Sequence, residues 1–204
     1  MAGAVVAALV LVVLLPDGER IGPSWLLPSL AGLLLVALIT GDPGKIDRRS
    51  NVLRVISIAL VSILVLNSLW ATAQLIDALI NGGKETNSAS ELLAAGTTVW
   101  ISNCLAFALL YWELDSGGAA ARAHRIADYV DIAFPQQLNP DIAPAGWRPR
   151  FVDYLYLGFT NATAFSPTDA MPLAPWAKIA MTVQSLISLG LLGLVIARAV
   201  NVFT

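Results

Sequence analysis

Residues 55–76 read VISIALVSILVLNSLWATAQLI, with Arg54 before them and Asp77 after, and carry no formal charge. A helix needs about 20 mostly apolar residues to cross roughly 30 Å of hydrocarbon, so this stretch has the length of a membrane span. Two further windows repeat the pattern: residues 92–112 between Glu91 and Glu113, and residues 179–197 between Lys178 and Arg198. Hydrophobic residues make up 57% of the 204-residue chain and charged residues 13%, whereas a soluble domain carries about 25% charge. Backbone amides in lipid must pair within their own segment or in a closed barrel, and uninterrupted runs select helices over ten-residue alternation. The expected fold class is an all-α membrane protein.

Two weaker windows precede these. Residues 1–15 are apolar up to Pro16, and residues 24–40 contain Pro28 and stop at Gly41-Asp42-Pro43-Gly44. No Lys or Arg precedes the first window, so it lacks the positive region of a signal peptide and reads as a permanent membrane element. About five transmembrane helices are therefore expected. Trp25, Trp112 and Trp176 fall near span ends, where an indole can hold its N–H at the headgroups. Trp70 and Trp100 fall inside spans and are expected to pack between helices.

Charge and side-chain inventory narrow the function. With 12 basic and 14 acidic residues, no polycationic face is available for a nucleic-acid backbone, so no nucleic-acid partner is expected. Cys104 is the single cysteine and His124 the single histidine. They allow no disulfide within the chain and no Cys- or His-based metal cluster; no metal and no cofactor are expected. No Ser-His-Asp set, phosphate-binding glycine loop or acidic metal motif is present, which argues against an enzyme.

The connection from Glu113 to Arg150 is the only long one. Ile126, Tyr129, Val130, Ala133 and Phe134 recur at helical spacing, which predicts an amphipathic helix on the membrane surface or the bundle. Pro135, Pro140 and Pro144 should forbid regular helix beyond it. Residues 151–165, FVDYLYLGFTNATAF, are apolar but interrupted by Asp153, and reach only about 22 Å as a helix. They are expected to form a re-entrant half-helix, returning through Ser166-Pro167-Thr168-Asp169 and Pro172 to the last span. One membrane domain, residues 1–204, is expected: four N-terminal helices to 115, a connection over 116–150, and the half-helix with the last helix over 151–204.

Residues 156–172, YLGFTNATAFSPTDAMP, and the helix that follows, LAPWAKIAMTVQSLISLGLLGLVIARAV, resemble the pore loop and inner helix of the potassium-channel-like family. With Asp169 and Pro172 aligned, Thr163, Ala164, Phe165, Ser166, Pro167 and Thr168 fall where that family carries Thr-Thr-Val-Gly-Tyr-Gly. The resemblance implies a channel-like pore built around Thr163 to Asp169 by a homo-oligomer in the lipid bilayer, conducting a monovalent ion. Neither filter glycine is present: Ser166 and Thr168 stand there, with Pro167 between them. A potassium filter needs backbone conformations that a Cβ resists, so potassium selectivity by that mechanism is not implied. The whole chain also looks like an uncharacterised family of bacterial predicted inner-membrane proteins, with a motif like Trp112-Glu113-Leu114-Asp115 after the penultimate span. This implies a multi-pass protein of the inner (plasma) membrane.

Basic residues set an orientation. Lys45, Arg48, Arg49, Arg54, Arg122, Arg125, Arg148, Arg150 and Lys178 fall on one side, against Arg20, Lys84 and Arg198. The positive-inside rule puts the first group in the cytoplasm, so the half-helix would enter from there. Potassium-channel pore loops enter from outside.

Polar residues within the spans are the pathway candidates. Asn67, Gln74 and Asp77 lie in one stripe of their helix; Gln184 and Ser188 begin a stripe that continues through Leu191, Val195 and Arg198; Asn161 lies on the half-helix. The first of these stripes has a plainer reading as interhelical hydrogen bonding, and Asn103 beside Cys104 is read as packing. Gly190 and Gly193 suit bending or close helix contact. Ser166, Pro167 and Asp169 also match a helix cap. Glu113 and Asp115 read as edge charges that could lock the long connection through Arg148 or Arg150, and His124 as a solvated loop residue. Two other functions compete with ion conduction: a structural or accessory membrane protein without flux, and a small-solute transporter using Asn67, Gln74 and the broken helix.

Overall fold

The computed structural model describes residues 2–15, 18, 21–41, 50–82, 88–124, 129–163 and 169–203. Three helices are long and apolar enough to cross a membrane: α3 (Asn51–Asn81), α4 (Ala89–Leu114) and α8 (Pro175–Phe203). Each outruns its charge-free window, so Arg54, Asp77, Glu113 and Arg198 sit on helical turns. Ser50 caps α3 by accepting from the Leu53 N–H (3.4 Å), and Gly82 ends it at φ +88°, a conformation that a Cβ would strain. Before them come α1 (Ala2–Leu14) and α2 (Leu26–Gly41). At 13 and 16 residues these two reach about 20 and 24 Å, short of a full hydrocarbon layer.

Contacts along α4 fix the direction of every neighbour. Ser57 lies beside Glu113 at one end of α3, and Leu79 clusters with Leu92 at the other, so α3 is antiparallel to α4. On α1, Val5 clusters with Leu109, and just past its end Leu15 clusters with Val99, which makes α1 antiparallel to α4 as well. Gly41, closing α2, abuts Leu53. The helices α1, α2, α3, α4 and α8 thus alternate in direction. Of the three long apolar helices α4 is the central one, with 61% of its apolar window buried against 33% and 28% for α3 and α8.

Residues 151–163 form α7 (Phe151–Thr163), about 20 Å long. Tyr154 meets Asp115, Gly158 lies over Cys104 and Ala108, and Phe159 stands edge-on to Trp100 at 5.5 Å. This helix therefore descends antiparallel to α4. Ser188 meets Asn103 and Val195 meets Gly96, so α8 is antiparallel to α4 too. Since α7 and α8 point the same way, the chain is next described at the end of the bundle where both helices begin. It re-emerges at β2 (Met171–Pro172), paired antiparallel with β1 (Ile132–Ala133).

Over its described part, residues 129–134, the expected helix from Ile126 to Phe134 is replaced by extended chain. Ile126 lies outside the described residues, Tyr129 is in a bend, and Ala133 is in β1, where both strand residues are buried against the end of the bundle. Tertiary pairing wins over local spacing because Ile132, Ala133 and Phe134 bury together as extended chain, as they could not on one helix face. The prolines behave differently from expectation as well. Pro135 and Pro140 start short helices, α6 (Pro135–Leu138) and a 3-10 turn (Pro140–Ile142), at the first position, where the missing N–H costs nothing. His124 ends the short α5 (Ala119–His124) and is exposed. Trp70, expected between helices, is 45% exposed and faces away from the bundle.

Candidate functional site

Three polar features surround α7: a junction at its start, a network along its inner face, and a cleft on its outer face. The junction begins where α4 stops. Ser116 adopts φ +51° and Gly117 and Gly118 also have positive φ, so Asp115-Ser116-Gly117-Gly118 reverses the chain tightly. Asp115 is 0% exposed. Its carboxylate accepts from the Tyr154 hydroxyl (2.5 Å), the Ser116 hydroxyl (2.9 Å) and the Ile132 N–H (3.1 Å), and so ties α4, α7 and β1 together. Asp131 accepts the Ser116 N–H through its side chain and the N–H groups of Leu173 and Ala174 through its carbonyl, adding the return segment. The Arg122 guanidinium donates to the Trp112 and Asp115 carbonyls and lies over the Trp112 and Tyr154 rings at 4.6 and 5.1 Å, a cation on aromatic faces at the negative end of a helix. Burial pushes the Tyr154 phenol well above its usual range, against the pull of Arg122, so it stays a donor.

Glu113 and Asp115 are thus not edge charges, and the long connection is not locked through Arg148 or Arg150. Glu113 is buried near Ser57, Arg54 and Arg122. Arg148 donates to the Ala123 carbonyl, and Arg150 offers its backbone N–H to Asp153. A two-residue spacing on a helix hid this, because the chain leaves the helix at Asp115.

Along the inner face, Gln184 is the hub. Its Oε1 accepts from the Tyr111 hydroxyl (2.7 Å) and from Asn161 Nδ2 (2.8 Å), while its Nε2 donates to the Gly158 carbonyl (2.9 Å). Asn161 Nδ2 also donates to the Met181 carbonyl, and the Ser185 hydroxyl donates to the Asn161 side chain. One helical step further along α8, Asn103 Nδ2 donates to Ser188 at 3.4 Å. Gln184 and Ser188 are 0% exposed and Asn161 8%. Three of the pathway candidates are therefore brought together, closed in among α4, α7 and α8. Asn67 is buried on α3, Gln74 is half-buried and Asp77 exposed, bonded to Asn81 in its own helix. No described hydrogen bond joins Asn67 or Gln74 to α7. Gly190 and Gly193 are exposed, and a Cβ on either would touch nothing in the chain.

Of the filter-like stretch, Thr163 ends α7 with its hydroxyl on the Thr160 carbonyl, and Asp169 is exposed in a bend. Ala164, Phe165, Ser166, Pro167 and Thr168 lie outside the described residues, and with them most of the capping pattern. On its outer face α7 borders a cleft of about 80 Å³ closed by Phe134, Gln136, Asp169 and Ala170.

Tyr111, Tyr154, Asp131, Arg122 and Gly158 were not legible as site residues. The turn signal Asp-Ser-Gly-Gly was the one local hint, whereas the tyrosines look like any aromatic in an apolar run. No protein-family model matches the chain, and neither a curated protein nor a solved structure matches it significantly.

Proposed function

We propose that the chain is a channel-like membrane protein in which α7 is a re-entrant half-helix, and that an oligomer of it conducts a monovalent ion without a potassium-selective glycine filter. The observation that carries this reading is that α7, about 20 Å long, runs parallel to α8, so the chain enters and leaves that region at one end of the bundle. Irregular backbone at membrane depth requires shielding by protein or a watery cavity, and a pore shared between subunits supplies both. Because Asn161, Gln184 and Ser188 are buried among α4, α7 and α8, the proposed pathway runs outside α7, between the subunits of the proposed oligomer. The end carrying Arg54, Arg122, Arg148, Arg150 and Lys178 faces the cytoplasm of a plasma (inner) membrane by the charge rule.

Purified protein in liposomes should pass monovalent cations, and Asp169→Asn should change the flux at least severalfold while leaving the oligomer intact. Folded, oligomeric protein that passes no common ion at either polarity would remove the channel reading.

A second reading is an accessory membrane protein without flux. Favouring it is the same network, in which Asn161 and Gln184 bond each other and Ser188 bonds Asn103. An accessory protein should co-purify with a fixed membrane partner and tolerate D169N without loss.

A further inference from the structure

The middles of the three long helices meet in a polar layer. Ser57 beside Glu113 and Leu79 beside Leu92 set the register of α3 on α4. Counted from either pair, Ser68 and Asn103 lie about three turns along their helices, so they stand opposite each other at one level. Ser68 continues the stripe of Val61 and Leu75, both buried. Asn103 continues the stripe of Gly96, which abuts Val195 of α8, and itself reaches Ser188 on that helix. One turn away, Ala71, Val99 and Leu191 close the layer with apolar side chains.

Two atoms in this layer have no hydrogen-bond partner, the Ser68 hydroxyl and Asn103 Oδ1, although the residues are only 2% and 0% exposed. The hydroxyls next to them are committed. Thr72 donates to the Ser68 carbonyl (2.8 Å) and Ser102 to the Thr98 carbonyl (2.8 Å), while Asn103 Nδ2 donates to Ser188 across a long 3.4 Å. Asn67 Oδ1 is unpartnered as well, but one residue is a rotation of about 100° around the helix, which takes it off the face that meets α4. A polar group buried without a partner is costly, most of all in hydrocarbon. The layer calls for one group that donates to Asn103 and accepts from Ser68.

We propose that a water molecule is held there, between α3, α4 and α8 near the bilayer midplane, whether or not the chain conducts. It donates to Asn103 Oδ1, accepts a hydrogen bond from the Ser68 hydroxyl, and turns its second O–H to the Ser188 oxygen. Three partners is the usual number for a buried water, and these three tie the long helices together at mid-depth. A bare cation does not suit the place: residues 65–71, 100–106 and 185–191 carry no carboxylate, and an uncompensated charge at this depth is expensive.

The test is water-edited solid-state NMR on the full chain in lipid bilayers, with its side-chain amides ¹⁵N-labelled. Magnetisation from water should reach Asn103 Nδ2, assigned by its loss in Asn103→Ser, severalfold faster than Gln184 Nε2, which bonds the Gly158 carbonyl. Ser68→Val removes the hydroxyl and fills its place with methyl groups, and should slow the Asn103 transfer to the Gln184 rate. Ser68→Ala, the gentler change should the valine disturb folding, should slow it severalfold, whereas Ser68→Thr keeps the hydroxyl and should preserve it. Equal rates for Asn103 and Gln184 in the unaltered protein, or an Asn103 rate unchanged in S68A, would overturn the proposal. So would a saturable rise in unfolding temperature with sodium that S68A abolishes, which would assign a cation instead.

Discussion

Asp115 holds donors from three directions, and each would be left unpaired in a buried place if the carboxylate were removed. An unsatisfied buried donor costs about 1–3 kcal/mol, so Asp115→Ala should destabilise by about 3 kcal/mol or more, read as a large fall in thermal unfolding temperature in detergent. Asp115→Asn should cost less, because an amide oxygen can still accept while its NH₂ group opposes the Tyr154 hydroxyl or the Ile132 N–H. Tyr154→Phe deletes one of these bonds and leaves the edge-to-face ring contacts with Trp112 and Phe134; its cost should be about 1 kcal/mol. If D115A unfolded no more easily than Y154F, Asp115 would not be the joint between α4, α7 and β1.

At the scale of elements, α7 is seated by a close approach. A Cβ at Gly158 would lie 2.8 Å from the Cys104 carbonyl oxygen and 3.3 Å from Ala108, and the first contact is backbone, which cannot swing aside. Gly158→Val should therefore displace α7 or destabilise by about 2–3 kcal/mol, with the loss visible as proteolysis within residues 151–163. A G158V protein with unchanged unfolding temperature and protease resistance would mean that α7 is not clamped against α4. Direction is equally checkable. In a Cys104→Ala background, single cysteines at Asp141 and Leu173, both exposed, flank α7, and should react with a membrane-impermeant thiol reagent from the same side. Reaction from opposite sides would make α7 a crossing and end the half-helix reading.

For the whole molecule, the exposed surface of α8 is apolar from Ile179 through Leu186, Leu189 and Ile196, as lipid or a neighbouring subunit requires. The alternating directions of α1, α2, α3, α4 and α8 gather the described basic residues Arg54, Arg122, Arg148, Arg150 and Lys178 at one end and leave Arg198 at the other. In the Cys104→Ala background a cysteine at the exposed Asp141 should accordingly label only from the cytoplasmic side, in inverted vesicles; labelling from the outside of intact cells would reverse the orientation.

Sequence alone determined the three long helices, because hydrophobic run length is a property of a single segment and the lipid requirement for paired amides leaves few alternatives. It also delimited the short apolar segment that became α7, since a run of that length cannot reach across a bilayer. The joining of Asn161, Gln184 and Tyr111, the burial of Asp115 and the conversion of Ile132–Ala133 into a strand were decided only by tertiary structure. Polar residues within an apolar run carry no mark of what they face; the partner lies on another helix, and the register between helices is set by packing such as Gly158 on Cys104, which no local pattern records.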